Sequence, residues 1–260
     1  MSAYKILKDL PARGEYGFTT AVAKKLLGSS DVAVHSAVQR LRKKGDIAMP
    51  YRGFYVIVPP EYRILGCLPA EHFIPLLMDH IGETYYAGLL SAAQHHGAAH
   101  QRPQVFQVVT AKNKAPLSCG KVRVDFIARK NVNEMPANTI NTARGTLRFS
   151  SPEATAFDLV GYPRHAGGLD NVATILAELA EKIDPVELAR IAELSPLPWA
   201  QRLGYLLDLV GISEKTEPLA EYVAAKHRVT PPLVPAQQVD GAERNRRWQL
   251  LVNARIEPDL

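Results

Sequence analysis

Apolar residues at the start of the chain recur with helical spacing, then switch to strand spacing, within the first 60 residues. Ile6, Leu7 and Leu10 form one apolar side, which predicts a short helix over residues 2–10 broken by Pro11, Gly14 and Gly17. A second helix is expected from Phe18-Thr19-Thr20 to Leu27, capped by Thr19 or Thr20 and buried through Ala23, Leu26 and Leu27. The turn Gly28-Ser29-Ser30 leads to a third, over residues 31–44, stopped by Gly45. Its inward face is Val34, Val38 and Leu41, at i, i+4 and i+7, with Ala37 beside them. Two strand-like runs come next, residues 47–49 and 54–58, around Tyr51-Arg52-Gly53, and Pro59-Pro60 closes the unit. Helix, helix, turn, helix and hairpin is the plan of a winged helix-turn-helix.

From Glu61 the pattern changes. Leu76-Leu77 and residues 85–95 read as helical. Val105/Gln107/Val109 and Val122/Val124/Phe126 alternate, predicting strands over 105–110 and 121–127. Residues 131–142 are polar and read as a loop, and 144–149 as a strand. Helices are then expected over 151–160, 168–183, 185–193, 198–210 and 218–226. An extended stretch with Pro231, Pro232 and Pro235 spans 230–238, and a last strand spans 248–252. The expected fold class is therefore α+β: an N-terminal winged helix-turn-helix over residues 1–60, then a larger mixed α/β domain over 61–260 with its helices gathered toward the C-terminus.

Charge sharpens the division. The first 60 residues hold ten lysines and arginines against four acids, a net charge of +6, whereas the remainder holds 21 basic and 22 acidic residues. A basic head on a neutral body is the electrostatic footprint of nucleic-acid binding. With 47% hydrophobic residues, the composition is that of a globular protein. No apolar run approaches the roughly 18 residues of a membrane span, and no signal peptide is expected at the start. Cys67 and Cys119 are the two cysteines. They are too few for a disulfide framework and suit a reducing cytoplasm.

The outward face of the third helix carries His35, Ser36, Gln39, Arg40, Arg42 and Lys43, with Lys44 at its end. In a helix-turn-helix, early residues of this helix meet base edges and later ones meet phosphates. Gln pairs with adenine and Arg with guanine in the major groove. Ser36, Gln39 and Arg40 are thus candidates to read bases. Arg42, Lys43 and Lys44 are candidates to hold phosphate, with Lys24 and Lys25 in the second helix and Arg52 in the wing adding charge. The competing reading is a solvated amphipathic helix used for protein contact.

Other constellations carry less. His96 and His100 stand at i, i+4, beside His95, but Gly97 separates them and the glutamate of a zinc-binding HExxH is missing, so no metal site is expected. Asp125 ends a predicted strand without the second carboxylate and lysine of a metal-dependent nuclease. Ser151-Pro152-Glu153 is a helix start: a cap, a first-turn proline and an acid at the positive end of the dipole. Glu153 and Asp158, at i+5, do not share a face. Arg244, Arg246 and Arg247 before Trp248 are either a partner-binding cluster or a surface loop. No phosphate-binding glycine motif and no nucleophile elbow is present. No enzyme activity, cofactor or metal is expected.

Several motifs, taken in order, resemble one family. They are Tyr85-Tyr86-Ala87-Gly88-Leu89-Leu90-Ser91-Ala92-Ala93, the stretch from His96-Gly97-Ala98-Ala99-His100 to Val109, Ser150-Ser151-Pro152-Glu153-Ala154-Thr155-Ala156-Phe157-Asp158-Leu159-Val160, Gln201-Arg202-Leu203-Gly204-Tyr205-Leu206-Leu207-Asp208, and Trp248 to Asn253. Behind a winged head, this series resembles the AbiEi antitoxins of bacterial abortive-infection systems. The resemblance implies an antitoxin of a type IV toxin–antitoxin pair acting in phage defence. Its partner would be a nucleotidyltransferase-like toxin of the AbiEii type, countered with or without a stable complex. It also implies a winged helix that binds inverted repeats in the operon promoter and represses transcription, and a C-terminal domain needed for antitoxicity and cooperative repression. Two alternatives stay open beside it: a winged-helix regulator whose body senses a small ligand, and a nuclease delivered to DNA by its head.

Overall fold

In the computed structural model, which describes residues 3–98 and 103–259, the chain begins with α1 (Tyr4–Asp9), α2 (Thr20–Leu27) and α3 (Asp31–Lys43). Thr19 Oγ1 accepts the Val22 N–H at 3.3 Å and so starts α2, and Ser30 Oγ accepts the Ala33 N–H at 3.4 Å and starts α3. Ile6, Leu10, Ala23, Leu27, Val34, Ala37, Val38 and Leu41 share one core. Phe18, Ile47, Tyr55 and Ile57 reach it from a three-stranded antiparallel sheet in the order β1 (Gly17–Thr19), β3 (Phe54–Ile57), β2 (Ile47–Tyr51). Gly17-Phe18-Thr19 is a strand, where the sequence suggested a break at Gly17 and the start of a helix at Phe18. Phe18 pairs with Tyr55 and stacks on its ring at 5.4 Å, a long-range contact that outweighs local propensity.

A second sheet has six strands in the order β6 (Leu117–Cys119), β7 (Val122–Ala128), β5 (Phe106–Thr110), β4 (Tyr85–Ala87), β9 (Gly145–Ser150), β8 (Ala137–Thr142). β5 and β7 are parallel, as are β4 and β9, and β6 and β7 form a hairpin. Three expectations are corrected here. Residues 85–95 are not one helix: Tyr85–Ala87 is an interior strand, and α5 (Leu89–His95) begins after Gly88. A short run buried on both faces has no periodicity that distinguishes strand from helix. The polar stretch read as a loop contains β8, whose position at the sheet edge suits its polarity. β6, three residues long, is a strand that the pattern does not predict.

The remaining elements are α4 (Ala70–Ile81), α6 (Pro152–Gly161), α7 (Leu169–Leu179), α8 (Pro185–Glu193), α9 (Leu197–Leu209), α10 (Glu217–Lys226) and the antiparallel pair β10 (Glu243–Asn245) and β11 (Leu250–Val252). Each helix from α6 to α10 lies within two residues of its expected span at its start. The chain packs as two compact units. One comprises Met1–Tyr86, Gln104–Asn133 and Thr139–Arg148; the other comprises Ala87–Pro103, Glu134–Asn138 and Phe149–Leu260. Packing thus divides the chain differently from the charge, whose break falls at residue 60.

In the first unit, Arg144 ties the head to the rest of that unit. Its guanidinium lies 3.6 Å from the centre of the Tyr16 ring and 3.1 Å from a Glu61 carboxylate oxygen, with Tyr62 on another side. Leu76 of α4 covers Gly17, where a Cβ would stand 2.9 Å from its methyl carbon. In the second unit, α6 is buried from Glu153 to Val160 and packs against α5, α7, α8 and α9. Ser151 caps it by accepting the Ala154 N–H at 3.2 Å, and Glu153 accepts the Asp184 N–H at 3.0 Å. Trp248 is fully buried against Gly204, where any side chain would collide with the indole.

Candidate nucleic-acid interface

The caps of α2 and α3 and their shared core hold the two helices around the tight turn Gly28-Ser29-Ser30, with α3 turning one side outward. Val34, Ala37, Val38 and Leu41 are buried, so His35, Ser36, Arg40 and Lys43 face solvent, with Gln39 and Arg42 half-buried. Gln39 and Arg42 stand one turn apart, and the Arg42 guanidinium donates to Gln39 Oε1 at 3.4 Å. Lys25 is exposed in the last turn of α2, and Arg52 is exposed at the tip of the β2–β3 hairpin. Lys24 is exposed as well but pairs with Asp31 at 2.7 Å, across the turn. Lys44 is also occupied. Its ammonium donates to the Tyr4 hydroxyl at 2.8 Å, which raises its pKa above the ordinary lysine value.

Among the sequence candidates, His35, Ser36, Arg40, Lys43 and Arg52 therefore extend into solvent, whereas Lys24 and Lys44 are partnered within the head. Two exposed apolar side chains on the same elements lie outside the sequence-derived set, Val32 at 78% exposure and Tyr51 at 47%. Val32 is legible in principle. It falls outside the Val34/Val38/Leu41 spacing and so must leave the core face. Arg144 is not legible, since its partners Tyr16, Glu61 and Tyr62 are remote in sequence.

The other candidates are placed elsewhere. His95 stacks on Phe149 with ring centres 4.2 Å apart, and His96 donates from Nε2 to the Ser150 carbonyl at 2.8 Å. Burial lowers the pKa of both imidazoles below the usual histidine value. His100 lies outside the described residues. Among the described residues no group of three or more His, Cys, Asp or Glu side chains could hold a metal ion. Asp125 sits in the middle of β7, paired with Gln107 of β5, and not at a strand end.

Arg244 and Arg247 are engaged within the chain. Arg244 donates to Gln249 Oε1 at 2.5 Å. Arg247 lies 2.8 Å from Glu217 Oε2, 3.0 Å from Thr216 Oγ1 and 3.4 Å from Asp208 Oδ2. Asp208 also accepts the Trp248 indole N–H at 2.7 Å, so the basic cluster locks the tryptophan against α9. Arg246 is exposed.

Residues 86–209 match the family model of the AbiEi antitoxin C-terminal domain. No curated protein matches the chain by sequence. Among solved structures, the RV2827C protein from Mycobacterium tuberculosis is similar over 96% of this chain and 90% of its own, with a TM-score of 0.69 and 19% identity. That likeness is one of fold. An antigenic nucleotidyltransferase-like protein from Paracoccidioides brasiliensis matches 61% of this chain and 92% of its own at 11% identity, with a TM-score of 0.37 that is too low for a common fold. No described helix is long and apolar enough to cross a membrane. The matched segment contains α5, α6 and α9 with the motifs that carried the resemblance, and over residues 86–209 the chain is similar to the C-terminal domain of the AbiEi antitoxins.

Proposed function

We propose that the protein is the antitoxin of a type IV toxin–antitoxin pair and that it represses its own operon by binding inverted repeats in the promoter through residues 1–60, acting as a winged helix-turn-helix. The observation that carries the first half is the family match over residues 86–209. The observation that supports the second is the solvent-facing polar and basic side of α3, together with an exposed arginine in the hairpin tip. In this reading Ser36, Gln39 and Arg40 reach base edges, and Arg42, Lys43, Lys25 and Arg52 hold phosphates. The acids of the head are few, and Asp31 and Asp46 are already drawn onto Lys24 and Arg63. The α3 face therefore repels a polyanion weakly.

The toxin would be a nucleotidyltransferase-like partner encoded beside this gene, and protection from it would rest on the matched C-terminal segment. One paired experiment tests both halves. Full-length protein is titrated onto promoter DNA by fluorescence anisotropy at several salt concentrations, and the same gene is co-expressed with the adjacent toxin gene. Operator binding that weakens steeply with salt, together with restored growth, is the expected outcome. Salt-independent binding rejects the DNA half, and absence of rescue with folded protein present rejects the antitoxin half.

A further inference from the structure

The chain's two cysteines, distant in sequence, meet in the fold. Cys67 and Cys119 are free thiols, both buried, at 0% and 9% exposure. The segments that carry them touch through backbone. Lys121 N–H donates to the Leu65 carbonyl at 2.7 Å. Gly66 and Gly120, each next to a cysteine, meet so closely that a Cβ on Gly120 would stand 2.1 Å from the Leu65 oxygen and 3.0 Å from the Gly66 Cα. Both glycines have positive φ, +68° and +58°, so the backbone conformation favours glycine at both, and at Gly120 space requires it as well. Two glycines at this crossing bring the neighbouring cysteines together, so that each thiol shifts the proton affinity of the other.

The pair is asymmetric. Hydrogen bonds from the Cys67 thiol and the Met49 backbone hold Cys119 below the usual thiol range, against the effect of its burial. Cys67, the donor and the more deeply buried of the two, is pushed up. Two thiols alone do not make a metal site. Neighbouring thiols with one sulfur inclined to ionise suit oxidation instead.

We propose that Cys67 and Cys119 form an oxidation site at which a peroxide produces an intramolecular disulfide that thiol reductants reopen. The Cys119 thiolate attacks one peroxide oxygen: an S–O bond forms, the O–O bond breaks and hydroxide leaves. The Cys67 sulfur, giving up its proton, then attacks the sulfenic sulfur of Cys119. The S–S bond forms, the S–O bond breaks and water leaves. In sum two thiols lose two electrons and two protons, and one hydrogen peroxide becomes two waters. Closing the disulfide brings the two sulfurs to the bonded distance of about 2.05 Å. β6, which ends at Cys119, packs against β2 of the head, so the bond fixes the backbone behind that hairpin.

The test uses full-length reduced protein exposed to hydrogen peroxide, quenched with catalase, denatured, treated with N-ethylmaleimide and mapped by mass spectrometry. The expected result is a monomer lighter by two hydrogens, no alkylation at either cysteine, a Cys67–Cys119 cross-linked peptide, and full reversal by dithiothreitol. The oxidised form should melt roughly 5 °C higher, because the cross-link restrains the unfolded chain. C67S should leave a Cys119 sulfenic acid that dimedone traps, and C119S should slow oxidation of Cys67 at least tenfold. Alkylation of both thiols after a dose that consumes free glutathione would overturn the proposal. So would cross-links only between chains, or wild-type protein that passes to sulfinic acid without the disulfide. The mapping is made on wild-type protein, so it decides even if a serine variant fails to fold.

Discussion

Two basic clusters, one near each end of the chain, look alike in sequence and differ in what their charges do. Arg40-Leu41-Arg42-Lys43-Lys44 ends α3, and Arg244-Asn245-Arg246-Arg247 precedes Trp248. In the first, Leu41 is buried while Arg40 and Lys43 project into solvent. In the second, Arg247 is drawn onto Asp208 and Glu217, and Arg244 onto Gln249. A run of cations is thus available to a ligand only where the fold brings no acid to it. Helical spacing keeps the α3 charges off the core, whereas a chain reversal leads the later arginines past two carboxylates from α9 and α10.

The contrast breaks most visibly at Trp248. Its indole fills the space over Gly204 and donates to Asp208. Trp248→Ala is expected to cost about 3–5 kcal/mol of stability, read as a lowered urea midpoint, with operator affinity unchanged in the protein that remains folded. A loss below about 1 kcal/mol, far under the usual cost of deleting a buried ring, would mean the arginine cluster does not serve as an anchor for it.

At the other cluster, Gln39→Ala and Arg40→Ala should each weaken operator binding by about 1–3 kcal/mol while sparing random DNA more, with unfolding midpoints near wild type. Equal losses on both DNAs would reassign these side chains to the phosphate backbone. Arg42→Gln and Lys43→Gln sharpen the same point. Each should flatten the slope of log affinity against log salt by about one unit if its side chain neutralises a phosphate. The matched change at the far end, Arg246→Ala, should leave that slope untouched, and an altered slope would make the C-terminal hairpin part of the DNA surface.

Arg247→Ala separates the clusters by stability. Its side chain is 39% exposed, so solvent screening limits the expected loss to under about 1 kcal/mol, without effect on DNA binding. The smallest effect expected is with pH. His95 and His96 are held below the ordinary histidine pKa by burial, so the unfolded chain takes up protons before the folded one does. Stability from these groups is complete above the unfolded value of about 6.5 and declines as pH falls through it. Urea midpoints measured between pH 8 and pH 5 should fall, and less so in His96→Gln. A midpoint that rises on acidification would show that these imidazoles gain, not lose, by protonation in the fold.

Much of this molecule is legible without its structure. The three helices of the head, the threonine cap of the second, the inward stripe, the strands β5, β7 and β9 and the helices from α6 to α10 all come from spacing and end signals. The elements that escape are short or depend on distant partners. Gly17–Thr19 becomes a strand because β3 lies beside it, and Tyr85–Ala87 because β9 does. Three residues are too few to show a period. Within the candidate interface, the outward face of α3 is legible, but the pairing of Lys44 with Tyr4 and of Lys24 with Asp31 is not.

The sequence by itself determined the local elements, the concentration of positive charge in the first 60 residues and the family motifs, because periodicity, capping and composition are properties of neighbours along the chain. Only the tertiary structure decided which basic side chains are drawn onto acids, that Arg144 closes over Tyr16, and that Cys67 meets Cys119. Each of these depends on segments far apart in sequence being held side by side. Their contact distances are set by the packing of strands, helices and bare glycine backbone, which no local pattern encodes.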